Sequence, residues 1–316
     1  MPLDDLDRAL VHALYLDGRA AFNHVAEVLG TSQQTVARRY RRLRADGVLR
    51  VVGMTDARRL GLVEWFVRLR CTPDAALKVA NALARREDTR WVQLTSGGTE
   101  IVCVIRSAQA PDSLLLRELP RTPRVVAVSA HCLLRTFVGG PVGWDGCAAA
   151  LAPEQVERLT PEPPDPAAEP VADVAADEPL LALLRHDART SYADLAAATG
   201  WAEATVRRRI RQLRRAGVLY WDIDMASVHL GYTVQAVLWL SVRPARLVEV
   251  AESLAGQPEV AFVAATTGSS NLVATVLCRD VEALYTYLTE RVGRLDAIDR
   301  LESAPIIHTV KRAATS

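Results

Sequence analysis

No run of 18 apolar residues occurs in the 316-residue chain, so no membrane-spanning helix is expected. The opening Met1-Pro2-Leu3-Asp4-Asp5 has neither the basic region nor the apolar stretch of a secretory signal. Cysteines are few and odd in number: Cys71, Cys103, Cys132, Cys147 and Cys278, with no C-x-x-C spacing. Four of them sit in or beside apolar runs, which favours buried, reduced thiols over a disulfide framework or a metal site. A cytoplasmic protein is the expectation. Also missing are H-E-x-x-H, G-x-S-x-G and any phosphate loop, so neither an enzyme nor a cofactor or metal is expected from motifs.

Excess charge of either sign is nearly absent as well, the net being +1. That average hides a partition. Residues 153–178 hold eight acids against the single base Arg158, a net of −7, which leaves +8 on the rest. Residues 31–50 carry six Arg and one Asp, and residues 201–220 six Arg and one Glu. Arginine in such density suits phosphate and guanine edges, which it grips with two parallel donors. The acidic stretch also holds Pro153, Pro161, Pro163, Pro164, Pro166 and Pro170, which is the composition of a solvated spacer. Such a spacer is expected to lower nonspecific DNA affinity by repelling phosphates.

What the chain does have is a second copy of itself. Residues 17–49 align without a gap on 187–219 with 14 of 33 positions identical, sharing D-x-R, a central Gly30 or Gly200, and T-V-x-R-R-x-R-x-L-R-x-x-G-V-L. A period of 170 residues is too long for a solenoid and implies duplication of a whole unit.

Periodicity divides each unit. Leu6, Leu10, Ala13 and Leu14 mark one amphipathic helix, and Phe22, Val25, Ala26 and Leu29 a second. Gly30-Thr31-Ser32 then makes a turn, with Ser32 capping a third helix from about Gln33 to Ala45. The second copy repeats this, ending in a helix from about Glu203 to Arg215. Three helices with so short a turn before the last form a helix-turn-helix. On a helical projection Val36, Tyr40 and Leu43, like Val206, Ile210 and Leu213, form the packing side. The outward side carries Gln34, Arg38, Arg41 and Arg42 in one copy, and Ala204, Arg208, Arg211 and Gln212 in the other. These are the candidates for reading base edges, while Arg39, Arg44, Arg209, Arg214 and Arg215 are placed for phosphates. Arg207 replaces Ala37 and Ala204 replaces Gln34, so the heads are expected to read an imperfect inverted repeat.

Downstream, strand and helix patterns recur in the order βαββαβ: strands at 62–71 and 232–242, helices at 75–86 and 245–255, hairpins at 90–105 and 260–277, helices at 112–119 and 281–292, and closing strands at 124–134 and 297–309. The expected fold class is α+β, with two winged or three-helix helix-turn-helix domains and two ferredoxin-like βαββαβ domains in tandem. The expected divisions are residues 1–54, 60–138, a linker at 139–176, then 177–224 and 230–312. Apolar residues on both faces of 232–242 suggest that the two sandwiches pack together, within or between chains.

With Asp17-Gly18-Arg19, the turn glycine, the Thr35–Leu49 segment and a following βαββαβ module, the chain resembles the Lrp/AsnC (feast/famine) family of prokaryotic transcription regulators. The resemblance implies binding of double-stranded DNA through the third helix, homo-oligomerisation through the sandwich, and sensing of an amino acid or related small metabolite near the hairpin turn. The family turn T-G-x-x-D corresponds here to Ser96-Gly97-Gly98-Thr99-Glu100 and Thr267-Gly268-Ser269-Ser270-Asn271. Gly97, Gly98, Glu100, Gly268, Ser269 and Asn271 are therefore the effector-binding candidates, although hairpin turns of this composition need no ligand. Two other functions fit a related build: a sirohaem-type tetrapyrrole decarboxylase, for which His131 and His308 would be the residues of interest, and an architectural DNA binder without sequence preference.

Overall fold

Asp4 caps helix α1 (Asp5–Leu16), its carboxylate accepting the Asp7 amide at 2.8 Å. Helix α2 (Phe22–Val28) leads through Gly30, at φ 64°, to α3 (Gln33–Ala45), where the Ser32 hydroxyl accepts the Thr35 amide. A residue with a Cβ would be strained at Gly30, which is why the turn falls there. In this computed structural model, which describes residues 3–108, 118–144, 146, 150–165, 171 and 174–313, the second copy follows the same plan. After a further helix α5 (Pro153–Leu159) come α6 (Glu178–His186), α7 (Tyr192–Thr199) ending at left-handed Gly200, and α8 (Glu203–Arg215). The apolar sides of α3 and α8 are buried as the projection requires: Val36, Tyr40, Leu43, Val206, Ile210 and Leu213. Each contributes on the order of 1.5–3 kcal/mol of burial.

Two compact units result, Met1–Leu60 with Cys147–Leu230 and Gly61–Gly146 with Gly231–Ser316. The expected divisions thus regroup, and in the first unit the reason is a pair of strands unforeseen in the sequence. β1 (Arg50–Thr55) and β6 (Leu219–Asp224), one from each copy, pair antiparallel from Arg50↔Asp224 to Thr55↔Leu219. One hydrophobic core then spans both helix-turn-helix motifs.

The expected solvated spacer is a correction. Within 150–165, helix α5 buries Leu159 in that same core, and Leu151 packs against it. Gln155 donates to the Val28 carbonyl at 2.9 Å, and the Ala150 and Leu151 amides donate to His12 Nδ1. The Asp165 amide reaches the Arg215 carbonyl at the end of α8. Charge and proline content indicated solvent exposure, but Leu151, Leu159, Val171 and Val174 pack on that core and lay the described parts of the segment down as a strap.

The second unit holds β2 (Val63–Cys71), α4 (Ala76–Ala84), β3 (Thr89–Thr95), β4 (Glu100–Ser107) and β5 (Val125–Val138), then β7 (Val234–Val242), α9 (Leu247–Ala255), β8 (Val260–Thr266), β9 (Leu272–Cys278), α10 (Val281–Thr286) and β10 (Ile298–Lys311). The helix expected over 112–119 lies almost wholly outside the described residues. Each copy has the ferredoxin-like strand order, β3-β4-β2-β5 and β8-β9-β7-β10. Rather than two separate sandwiches, the eight strands close into one barrel, because the long last strands change sheets half-way. β5 pairs with β2 up to Cys132 and with β8 from Leu133; β10 pairs with β7 up to Pro305 and with β3 from Ile306. The pairing of the sandwiches is therefore settled within the chain, and closure leaves no open strand edge in this barrel. Its interior mixes the copies: Phe66, Val102 and Val104 with Val237, Trp239, Val273 and Ala304. Cys71, Cys103 and Cys278 are buried free thiols, and burial pushes the Cys103 thiol up to about 12. Among the described residues no helix is long and apolar enough to cross a membrane.

Candidate DNA interface

Gln34, Arg38 and Arg41 on α3 are exposed, as are Ala204, Arg207, Arg208, Arg211 and Gln212 on α8. Arg38, Arg208 and Arg211 have no ion pair among the described residues, so their guanidinium groups are unengaged. Arg207 is held loosely, 2.8 Å from Glu203 one turn earlier and 4.2 Å over the Tyr192 ring.

Of the arginines assigned to phosphates, Arg215 is exposed, but Arg39, Arg44, Arg209 and Arg214 behave differently. Asp7, inside α1, and Asp177, the residue just before α6, are both buried and lie at equivalent positions of the two copies, each ten residues before the D-x-R motif. Asp7 takes Arg39 at 2.8 Å and Arg42 at 2.5 Å, and Asp4 adds a second hold on Arg39. Asp177 takes Arg209 at 2.7 Å. The Arg39 guanidinium holds the Asp4 carboxyl below the usual carboxylate range. A buried carboxylate needs such a partner, since stranding it costs several kcal/mol. Arg39 and Arg209, expected on phosphates, are thus struts that fix the third helix to the start of the first. Arg42, expected on the reading face, is half-engaged in the same way. Arg44, still exposed, and Arg214 reach across to Asp187 at 2.6 Å and Asp17 at 3.5 Å in the opposite copy. Arg214 stacks over Trp221, and burial lowers its pKa. The signal that could have exposed this is the acid repeated ten positions before each D-x-R.

The effector candidates are likewise occupied. Glu100 is buried and bonded bidentately by Arg68, with the Ser96 hydroxyl at 2.8 Å. Asn271 clasps the Val242 amide and carbonyl, both at 2.8 Å. Ser269 offers its carbonyl to Ser241. Gly97, Gly98 and Gly268 take positive φ, as their turns require. A carboxylate long enough to reach Arg68 is drawn into the barrel rather than left for an amine. His131 bonds through Nδ1 to the Thr267 carbonyl at 2.7 Å, and His308 is exposed on β10.

Comparison with known proteins fits this build. The family model for the AsnC-type helix-turn-helix domain matches residues 3–44 and again 175–214, and that for the Lrp/AsnC ligand binding domain matches 235–315. An uncharacterized HTH-type transcriptional regulator of Pyrococcus abyssi is 31% identical over 137 residues, which are 43% of this chain and 86% of the relative. The chain belongs to the Lrp/AsnC family. HTH-type transcriptional regulator LrpA of Pyrococcus horikoshii is 29% identical over 43% of this chain and 96% of its own length. Each Lrp/AsnC relative therefore corresponds to under half of the chain, as a duplication demands. The function expected from the sequence, a DNA-binding transcriptional regulator of the Lrp/AsnC type, is the one these relatives and domains support. Among solved structures, the siroheme decarboxylase NirDL aligns with a TM-score of 0.67 over 98% of this chain and 93% of its own, at 14% identity, which speaks for a shared fold.

Proposed function

We propose that this Lrp/AsnC regulator reads two unlike half-sites of double-stranded DNA. α3 would present Gln34, Arg38 and Arg41, and α8 would present Arg207, Arg208, Arg211 and Gln212. The observation that carries this reading is the division of labour among the arginines. Those facing inward are tied to Asp4, Asp7, Asp17, Asp177 and Asp187, while Arg38, Arg208 and Arg211 stay unengaged on exposed helix faces. Arginines committed to carboxylates have less charge to offer phosphate, whereas free ones release counterions on binding. Catalysis forms no part of this reading, and neither does a bound cofactor.

The decisive experiment selects sites from random duplexes and measures binding at matched salt. An asymmetric inverted repeat is expected, and Arg38→Glu with Arg208→Glu should weaken it at least 100-fold. A symmetric consensus, equal affinity for every duplex, or charge reversal without effect would overturn the proposal. An amino-acid effector belongs to the same reading as the regulator of occupancy. Held by Glu100, its amine would have to displace Arg68.

A further inference from the structure

The D-x-R loops, Asp17-Gly18-Arg19 and Asp187-Ala188-Arg189, face each other inside the first unit and exchange arginines. Arg19 donates to the Ala188 carbonyl at 2.6 Å and the Thr190 carbonyl at 3.0 Å. Arg189 returns the contact, to the Gly18 carbonyl at 2.7 Å and the Ala20 carbonyl at 3.1 Å. Each guanidinium also lies over an aromatic ring of the opposite copy: Arg19 4.3 Å from the centre of Tyr192, Arg189 4.1 Å from that of Phe22. The aspartates finish the exchange. Each accepts the amide of its own arginine, fixing the loop, and receives an arginine from the last turn of the opposite third helix, Arg44 on Asp187 and Arg214 on Asp17. Burial lowers the pKa of Arg189, but a guanidinium does not lose its proton in a protein, so the clamp stays charged.

We infer that the paired D-x-R loops are a spacing gauge: Arg19, Arg189, Asp17 and Asp187 fix the separation and rotation of the two reading helices, and so restrict the chain to one half-site spacing. This rests on the DNA reading above and assigns that site its positioning residues. The reasoning is mechanical. A tether alone tolerates many spacings, because lengthening a loop costs little. Here α3 and α8 are joined through bonds at their own last turns. A further pairing, β1 with β6, and the strap from α2 to the end of α8 close the same unit. Moving one head by half a helical turn of DNA would break several charge-assisted bonds to backbone carbonyls at once.

The test uses the full chain and duplexes carrying the two halves of its selected site at successive spacings. Wild type should bind one spacing at least 30-fold more tightly than that spacing with about 5 bp, half a turn, inserted. Arg19→Gln with Arg189→Gln should cut that ratio to threefold or less while leaving affinity for a duplex with a single half-site within threefold. Because neither arginine is placed on the DNA, a merely structural role would lower both affinities together. Asp17→Asn with Asp187→Asn serves as a second, milder variant should the first not fold. A wild type indifferent to spacing, or variants that keep its full spacing preference, overturns the gauge and leaves the DNA reading intact. A wild type that binds no selected duplex overturns the DNA reading, and the gauge with it.

Discussion

The guanidinium of Arg68 lies 4.4 Å from the centre of the Trp239 indole, and the two residues hold the same position, sixth of nine, in strands β2 and β7. Two copies of one strand thus meet in the barrel with a cation on one and its aromatic partner on the other. Glu100 at 2.8 Å and Glu302 at 2.6 Å complete the coordination of Arg68. Duplication let the two positions diverge into complementary halves of one contact, worth on the order of 1–2 kcal/mol.

Arg68→Met should cost about 3 kcal/mol near neutrality, since it strands the buried Glu100. Arg68 holds the Glu302 carboxyl below its usual 4.5. A depressed carboxylate gives stability that is present above its unfolded pKa and lost as pH falls through the folded value. The gap between wild type and variant in urea unfolding should therefore narrow below about pH 4.5. A gap that stays constant in acid would show that Arg68 acts by packing alone.

Lys311 is buried near the end of β10, donates to the Arg86 carbonyl, and is pushed by burial and by the neighbouring Arg90 down to about 8 from 10.5. Between those values the unfolded chain binds the proton more tightly than the folded one, so this residue's destabilising effect is full below pH 8 and fades toward 10.5. Lys311→Met should accordingly stabilise by roughly 1–3 kcal/mol at pH 7, from 1.36 kcal/mol per pKa unit less the lost hydrogen bond, and by nothing near pH 10.5. Thermal melts at the two pH values check it.

A Cβ on Gly18 would lie 2.5 Å from Val51 Cγ1 and 2.8 Å from Trp221 Cβ, whereas one on Gly256 would approach nothing closer than 3.7 Å. Gly18→Ala is expected to destabilise by about 1–3 kcal/mol through overpacking where the two copies touch. Gly256→Ala should stay within about 0.5 kcal/mol. Equal effects would mean that the loop relaxes freely.

Deleting 153–178 would remove α5 and Asp177 together, so the expected repulsion of DNA by the acidic segment is better tested in place. Glu154→Gln, Glu157→Gln and Glu162→Gln change three exposed acids and leave Leu159 buried. Binding to random duplex at fixed low salt should tighten severalfold. No change would remove the repulsion idea, while Leu159→Ala should cost about 2–4 kcal/mol regardless of DNA.

A panel of amino acids should raise the melting temperature if one of them is the effector, since a ligand bound only by the folded chain stabilises it. Added tetrapyrrole should leave the absorbance spectrum of the regulator unchanged. A shifted band would point instead toward the chemistry of the decarboxylase that shares its fold.

What the sequence determined by itself is everything governed by short-range pattern. The duplication, the helix-turn-helix pair with its packing side at Val36, Tyr40 and Leu43, and the βαββαβ order were all legible, because helical and strand periodicity express contacts within one element or its neighbour. The free outward arginines Arg38 and Arg208 were legible for the same reason.

Tertiary structure alone decided which groups far apart in the chain meet. The turn of Arg39 and Arg209 onto buried acids, the loss of Glu100 to Arg68, the crossing of β5 and β10 into the other sheet, and the folding down of the acidic strap all rest on partners remote in the chain. An arginine at the rim of a helix has the same local signature whether it faces phosphate or a buried carboxylate. Only the chain's return past that rim settles the choice, because burying a carboxylate without a cation costs more than the loss of one exposed arginine.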